Sequence, residues 1–497
     1  LSVIRQDQTL QATADLLPSG PTGLQVRGLT SQPPILRFEL PLETGSLQLT
    51  GQLGAEEIAG AVRRGEVEGR FQMMRLVEIE PGRRASFTGN YETDSGRVIW
   101  VGPFGEFGAD FYVLDFSSGR FGALYPRSQT TFVGGPAIVT PLLPLALTLT
   151  FQTNEQGKIT GLLYQEGSQP FVPAKRRDLG REEISFHNGD VKLAGMLTRP
   201  LKSGRHPAIV LIHGSGPEDR YFLGPWIDFF ARQGLAVLAY DKRGVGASGG
   251  DWQQSGIDEL AGDAEAAFRY LASRSDVDPR RIGLFGISQG GWIEPLVASR
   301  NPVAFIVLHA GATVPVFRQG ELFYEHELRG YGVSEEEIAK ALAYQRLDDN
   351  FTRTGQGWER LQEAHRKAHD AQAPWLLAEP QPADSSFRKM YRKMMDFDPV
   401  PSWRQVKCPV LAFFGELDHN VPPQPNREIL EKTLASAGHT AATIIVLPKA
   451  NHLFLQAETG VQSEYPSLRA FVPGYFEQLG EWMRKVVKAP ALKAAAP

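Results

Sequence analysis

Three residue types on separate loops, a serine between glycines, a carboxylate and a histidine, can carry out acyl transfer if a fold brings them together. The run GISQGG puts Ser288 between Gly286 and Gly290, directly after the apolar run RIGLFGI and before QGGWIEPLVAS. A strand that ends in G-x-S-x-G and runs into a helix is a nucleophile elbow: the serine sits on a strained turn with its hydroxyl exposed, and flanking glycines remove the clash. The helix start adds N–H groups and a dipole that favour negative charge near the serine. A serine hydroxyl is a weak nucleophile until a positioned base takes its proton. The reading therefore demands an acid and then a histidine downstream. In VLAFFGELDHNVPP, Asp418 follows a predicted strand, and in TIIVLPKANHLFL, His452 follows the next one. Asp418 would orient the imidazole and stabilise its cation, while His452 would deprotonate Ser288 and then protonate the leaving group. Glu416 competes for the acid position, and Asp418 is preferred for its offset from the strand end.

The same chemistry needs donors for a developing oxyanion. PAIVLIHGSGPEDR ends a predicted strand in His213-Gly214-Ser215-Gly216, a loop able to turn a backbone N–H, that of Ser215, toward the nucleophile. The N–H of Gln289, next to Ser288, is the second expected donor. Alone, HGSG is an ordinary strand-to-helix turn; beside the other pieces it acquires a role. His419 reads as a surface side chain. His187, His206, His326 and His439 fall in predicted linkers or helices, and His309 follows a strand but lacks the late position. His365 and His369 have metal-compatible spacing but no Glu after the first histidine, so they read as a solvated helix face and no metal is expected. YDKRGVGAS from Tyr240 lacks the phosphate-loop pattern. It reads as a structural turn in which Asp241 and Arg243 bond backbone.

The elements that must hold these residues change in kind along the chain. From about Leu24 to Pro173, short alternating runs such as LRFEL and LALTLTF, separated by glycine and proline, predict antiparallel strands with one buried face. The charged run AKRRDLGREE, Ala174 to Glu183, reads as a linker. Beyond it, PAIVLIH, LAVLAY, RIGLFGI, AFIVLHA, VLAFFG and TIIVLP are apolar on both faces, as strands of a helix-covered parallel sheet are. IDELAGDAEAAFRYL between them places Ile257, Leu260, Ala261, Ala264, Phe268 and Leu271 on one helix face. Strands alternating with helices predict a mostly parallel, doubly wound α/β sheet. Between Val314 and Trp403 the pattern turns helical and aromatic-rich, with Ser334 and Glu337 as a capping box stapled by Val333 and Ile338. The expected divisions are an N-terminal antiparallel β-rich domain over 1–177, an α/β core over 178–313, a helical cap insertion over 314–403, the rest of the core over 404–488 and a flexible tail over 489–497.

Composition limits the partners. The 497 residues carry a net charge of -4, with 42% hydrophobic and 22% charged residues, a soluble globular composition without the basic footprint of a nucleic-acid binder. The single cysteine, Cys408, excludes an internal disulfide and a cysteine-based zinc cluster. PAIVTPLLPLALTLTF, broken by prolines, falls short of a membrane span. The chain starts at Leu1 without a basic and apolar leader, which fits an exported protein after signal removal and equally a trimmed cytoplasmic one. Compartment and oligomeric state stay open.

In order, the motifs HGSGP, YDKRGVGASGG, GISQGG, GELDHNVPP and NHLF resemble the serine α/β-hydrolase superfamily over roughly Glu182 to Val487. Within it, the likeness is to bacterial carboxylesterases with an extra N-terminal β domain and a helical cap, related to the dienelactone hydrolase and serine aminopeptidase groups. The resemblance implies hydrolysis of a small-molecule ester through an acyl-enzyme, without metal or organic cofactor, with Ser288, Asp418 and His452 in the catalytic positions. Serine aminopeptidase and thioesterase activities use the same triad. A prolyl-oligopeptidase architecture is excluded, since its propeller needs roughly seven repeats of about 40 to 45 residues and no repeat occurs. Serine at the elbow argues against dehalogenases and most epoxide hydrolases.

Overall fold

The computed structural model describes residues 2–6, 9–14, 24–42, 45–139, 143–376 and 379–488; the expected tail, 489–497, lies outside them. The chain divides into two compact units, Leu1–Val101 with Phe107–Val113 and Gly122–Arg176, and Gly102–Glu106 with Leu114–Phe121 and Arg177–Pro497. The first unit holds a three-stranded and a five-stranded antiparallel sheet followed by a closed eight-stranded barrel. Period-two burial builds it. Strand Ile35–Leu42 buries Leu36, Phe38 and Leu40 in a small core with Leu49, and strand Leu147–Thr153 buries Leu147, Leu149 and Phe151 inside the barrel. There the rings of Phe87, Phe132 and Phe151 meet with centroids 4.7 to 5.3 Å apart.

The charged run expected as a linker is almost all strand. Val172–Arg177 closes the barrel and Gly180–Asn188 begins the next sheet, so only Asp178 and Leu179 join them. In Val172–Arg177 Ala174 is buried while Lys175 and Arg177 are exposed; a strand with one wet face tolerates charge there, and composition alone misread it.

The second unit is built on an eight-stranded sheet: β1 (Gly180–Asn188), β2 (Val191–Arg199), β3 (His206–Ile212), β4 (Ala236–Tyr240), β5 (Val277–Ile287), β6 (Ile306–His309), β7 (Val410–Gly415) and β8 (Ala442–Leu447). Its order is β1-β2-β4-β3-β5-β6-β7-β8. The β1–β2 and β2–β4 pairs are antiparallel, and every later pair is parallel. Helices α1 (Gly224–Arg232), α2 (Ile257–Ser273) and α3 (Gly290–Arg300) lie between these strands in the chain. β3, β4, β6 and β7 are buried residue by residue, which is why their sequences carry no alternation. The six α2 residues expected on one face are all buried. The mostly parallel doubly wound sheet, the helical insertion and a separate antiparallel β-rich domain are thus all present.

Between β6 and β7 the chain forms α4 (Val316–Gly330), α5 (Glu335–Thr354), α6 (Trp358–Asp370), α7 (Ser386–Met394) and the short α8 (Val400–Trp403); α9 (Pro423–Ser436) and α10 (Tyr475–Lys488) follow later. Ser334 caps α5 by accepting the Glu337 N–H at 3.4 Å. The return half of the capping box is not made: the Glu337 carboxylate instead takes Lys340 Nζ at 2.6 Å and Trp375 Nε1 at 2.9 Å. Val333, Ile338, Tyr324, Tyr344 and Trp375 share one cluster, so these aromatics are the insertion's own core.

The turn after β4 does more than bond backbone. Asp241 does accept the N–H groups of Arg220 and Ala247, both at 2.8 Å, but it also takes the Arg220 guanidinium at 2.7 and 2.9 Å. Arg243 pairs with Asp263 of α2 through two bonds of 2.7 Å. All four side chains are buried. Removing one partner of a buried pair leaves an uncompensated charge and costs about 3 to 5 kcal/mol, whereas replacing both by apolar residues is often near neutral. Asp263→Ala should therefore lower stability by about that amount, and Arg243→Met with Asp263→Leu should recover most of it. Urea unfolding followed by tryptophan fluorescence measures both.

Candidate active site

Ser288 sits where β5 turns into α3, with φ of 55°, a backbone region costly for any residue with a Cβ. The turn is pinned on both sides. Its N–H donates to the His309 carbonyl at 3.1 Å, and its own carbonyl accepts the N–H groups of Gly291 and Ala312, each at 3.0 Å. The close approaches fall at Gly286 and Gly291. A Cβ at Gly286 would come 2.7 Å from the Glu294 side chain, and one at Gly291 would come 2.5 Å from the Ala312 carbonyl. At Gly290 the nearest atom would be 3.5 Å away, an ordinary contact. The second required glycine of GISQGG is thus the last one, not the one expected from the motif.

Asp418 and His452 meet. Asp418 is 1% exposed and takes His452 Nδ1 on Oδ2 at 2.9 Å, while its Oδ1 accepts the Val421 N–H at 2.8 Å. With the Nδ1 proton committed to a carboxylate, Nε2 is left as the nitrogen able to accept a proton. Glu416 is exposed and receives the Lys449 N–H at 2.8 Å, away from the imidazole. Ser288 and His452 line one cavity of about 490 Å³, together with Gly214, Ser215, Gly216, Glu106 and Asn420. Among the described residues no hydrogen bond occupies the backbone N–H of Ser215, on its wall, or of Gln289, next to Ser288.

The other histidines go elsewhere. His213 is buried and its Nε2 donates to the Tyr240 carbonyl at 2.6 Å; burial, with the Lys242 charge close by, lowers its pKa to about 3 and keeps it neutral. His309 is also buried, bonded to the Tyr475 hydroxyl at 2.8 Å and held neutral by burial. His419 is not a surface group, since it is half-buried with Nδ1 3.4 Å from Glu327 of α4. His365 is only partly solvated, against Tyr344 and Glu379, while His369 is exposed. Among the described residues no group of three or more His, Cys, Asp or Glu is placed to hold a metal ion, and none of their helices is long and apolar enough to cross a membrane.

Charged residues on the cavity wall and against it escaped the sequence reading, among them Glu218, Lys242 and Glu106. Glu218 is 5% exposed and accepts the Gly214 N–H at 2.9 Å. Lys242 is 2% exposed, and its Nζ reaches the carbonyls of Gly214 and Gly216 at 2.5 and 2.9 Å. Glu106 lines the cavity wall, its pKa raised by the surrounding protein. Glu218 and Lys242 lie within motifs already in view, PEDR and YDKRG, but nothing in their spacing signals that they meet. Burial by itself would lower the His452 pKa; the charge and hydrogen bond of Asp418, with Glu106 and Glu218 behind, outweigh it and raise the pKa above the ordinary 6.5.

Comparison with known proteins bears on the family of the chain. Residues 209–461 match the model of the alpha/beta hydrolase family. Esterase EstD of Thermotoga maritima is 26% identical over 343 residues, 67% of this chain and 75% of its own. An uncharacterized protein of Mycobacterium tuberculosis is 31% identical over 180 residues, 36% of this chain and 61% of that one. The solved structure of a Pyrococcus furiosus esterase aligns with a TM-score of 0.40 and 18% identity, over 62% of this chain and 91% of its own.

The electrostatics fix the sign of two tests. A base with a raised pKa gives a kcat/KM that climbs with pH through a midpoint above 6.5. Glu106→Gln removes an anion that favours the imidazolium, so the proton leaves more easily and that midpoint should move to lower pH. Asp418→Asn should cut kcat on the order of 10³ to 10⁴-fold, and Glu416→Gln should change it little; the opposite pattern would move the acid to Glu416.

Proposed function

This chain belongs to the alpha/beta hydrolase family, and on that premise we propose that it is a serine carboxylesterase acting on esters of short to medium acyl chains. The single observation that carries the reading is the buried Asp418–His452 pair at 2.9 Å, beside the cavity into which Ser288 is turned. His452 Nε2 takes the proton as Ser288 Oγ attacks the carbonyl, and the new oxyanion is held by the backbone N–H groups of Ser215 and Gln289. The imidazolium gives its proton to the leaving alcohol, and the acyl-enzyme is then hydrolysed by water activated by the same histidine. The name of the Thermotoga relative, an esterase, supports the choice of ester over other acyl substrates.

One observation favours a second reading. The Glu106 carboxylate on the cavity wall would suit an acyl group bearing an ammonium, as in an aminoacyl substrate. A panel of p-nitrophenyl esters, acyl thioesters and aminoacyl anilides separates the two. Ester cleavage should dominate, and preferential cleavage of the anilides would replace the esterase reading with an aminopeptidase one.

Ser288→Ala should lower kcat for p-nitrophenyl esters on the order of 10⁴ to 10⁶-fold while leaving the circular dichroism spectrum unchanged. A folded variant that keeps its activity would remove Ser288 from the mechanism.

A further inference from the structure

The loop Gly214–Gly216 is held by two buried side chains of opposite charge, Glu218 and Lys242. On one side Glu218 accepts the Gly214 N–H at 2.9 Å, and a backbone hydrogen bond from Gly216 also acts on its carboxylate. On the other side, Lys242 Nζ donates to the Gly214 carbonyl at 2.5 Å and to the Gly216 carbonyl at 2.9 Å. The two glycines flanking Ser215 thus have their donors taken by the carboxylate and their acceptors by the ammonium. The Ser215 N–H is the one left unengaged.

Lys242 has a third contact, the Gln289 side-chain Oε1 at 3.3 Å. Gln289 is also the residue that follows Ser288 and precedes the helix Gly290–Arg300. One ammonium therefore touches both segments that would supply donors to an oxyanion. Surface ion pairs contribute little, and a buried lysine and glutamate are costly to retain if their only purpose is stability. Here the pair fills a different need. A short glycine-rich loop has many backbone conformations, and an oxyanion hole is effective only when its donors are oriented before charge develops.

We infer that Lys242 and Glu218 are positioning residues of the oxyanion hole, clamping Gly214 and Gly216 so that Ser215 and Gln289 present their N–H groups to the carbonyl oxygen of the substrate. The inference rests on the serine-hydrolase reading and adds residues to it. Neither side chain touches the reacting atoms; both act through the loop.

The consequence is specific to the transition state. A loosened donor weakens binding of the tetrahedral species more than binding of the planar ester, and losing one oxyanion donor costs on the order of 10² to 10³ in kcat. Lys242→Met keeps the length of the side chain and removes the ammonium. It should lower kcat on p-nitrophenyl acetate about 100-fold, leave KM within roughly threefold, and weaken inhibition by an alkylboronic acid, which mimics the tetrahedral intermediate, by a factor similar to the loss in kcat. Glu218→Gln keeps an oxygen acceptor for the Gly214 N–H and should lose less, about tenfold.

A merely structural role would lower the melting temperature and the active fraction without changing the ratio of boronate affinity to KM. Lys242→Met with unchanged kcat and unchanged boronate affinity overturns the inference, and so does a loss carried in KM alone. Should Lys242→Met not fold, Glu218→Gln decides by the same two ratios. Ser288→Ala run in parallel keeps the two ideas separate. If it is inactive while Lys242→Met matches the wild type, the clamp fails and the serine mechanism stands; if Ser288→Ala is active, the mechanism itself fails.

Discussion

Everything at this site depends on a backbone conformation that serine does not adopt unaided. At φ of 55° Ser288 stands in a region where a Cβ crowds its own carbonyl, and such a residue persists only when its surroundings over-determine it. The surroundings here are the ends of parallel strands. The β6 terminus supplies the His309 carbonyl, the residues just beyond it supply the Ala312 N–H, and α3 supplies the Gly291 N–H. The strain is thus met by three hydrogen bonds from buried residues of the strand, the loop after it and the helix. Gly286 and Gly291 are needed because Glu294 and the Ala312 carbonyl stand where their Cβ atoms would be.

The same sheet explains why residues far apart in sequence converge. Parallel strands place all their carboxyl ends on one edge, and loops leaving that edge share a crevice. Ser288 leaves β5, the His213–Gly216 loop leaves β3, Lys242 leaves β4, Asp418 leaves β7 and His452 follows β8. Asp418 and His452, 34 positions apart, meet at 2.9 Å because β7 and β8 are hydrogen-bonded neighbours in register from Val410 to Gly415. No local propensity encodes that contact; the pairing of the strands does.

This also marks how far the sequence could be read. Strands buried on both faces announce themselves as unbroken apolar runs, so β3 to β8 were legible, and the order serine, acid, histidine followed from strand order. Charge patterning was a poorer guide. AKRRDLGREE looked like a linker because a half-wet strand and a loop accept the same residues, and only the position of Ala174 in the barrel distinguishes them. Asp241 and Arg243 were assigned to backbone because their partners, Arg220 and Asp263, come from a preceding loop and a later helix. Lys242 was missed for the same reason. A buried lysine is expensive, so its presence is intelligible only once Glu218 and two carbonyls are seen around it. The N-terminal strands were legible as alternation, but closure into a barrel depends on pairing between strands that no alternation reveals.

Charge at the cavity has a coherent direction when set against the proposed chemistry. The reaction creates two charges at once, an imidazolium on His452 and an oxyanion near Ser215 and Gln289. Asp418, Glu106 and Glu218 all favour the first, as the raised His452 pKa records. Carboxylates alone would oppose the second. Lys242, bonded to the Gly214 carbonyl and to Gln289, is the cation on the oxyanion side, and its field opposes that of Glu218 where the negative charge forms. A carboxylate on the imidazole side and an ammonium on the oxyanion side thus form a fixed dipole aligned with the charge separation of the step. In a buried site of low polarisability such a fixed dipole acts more strongly than the same charges would in water.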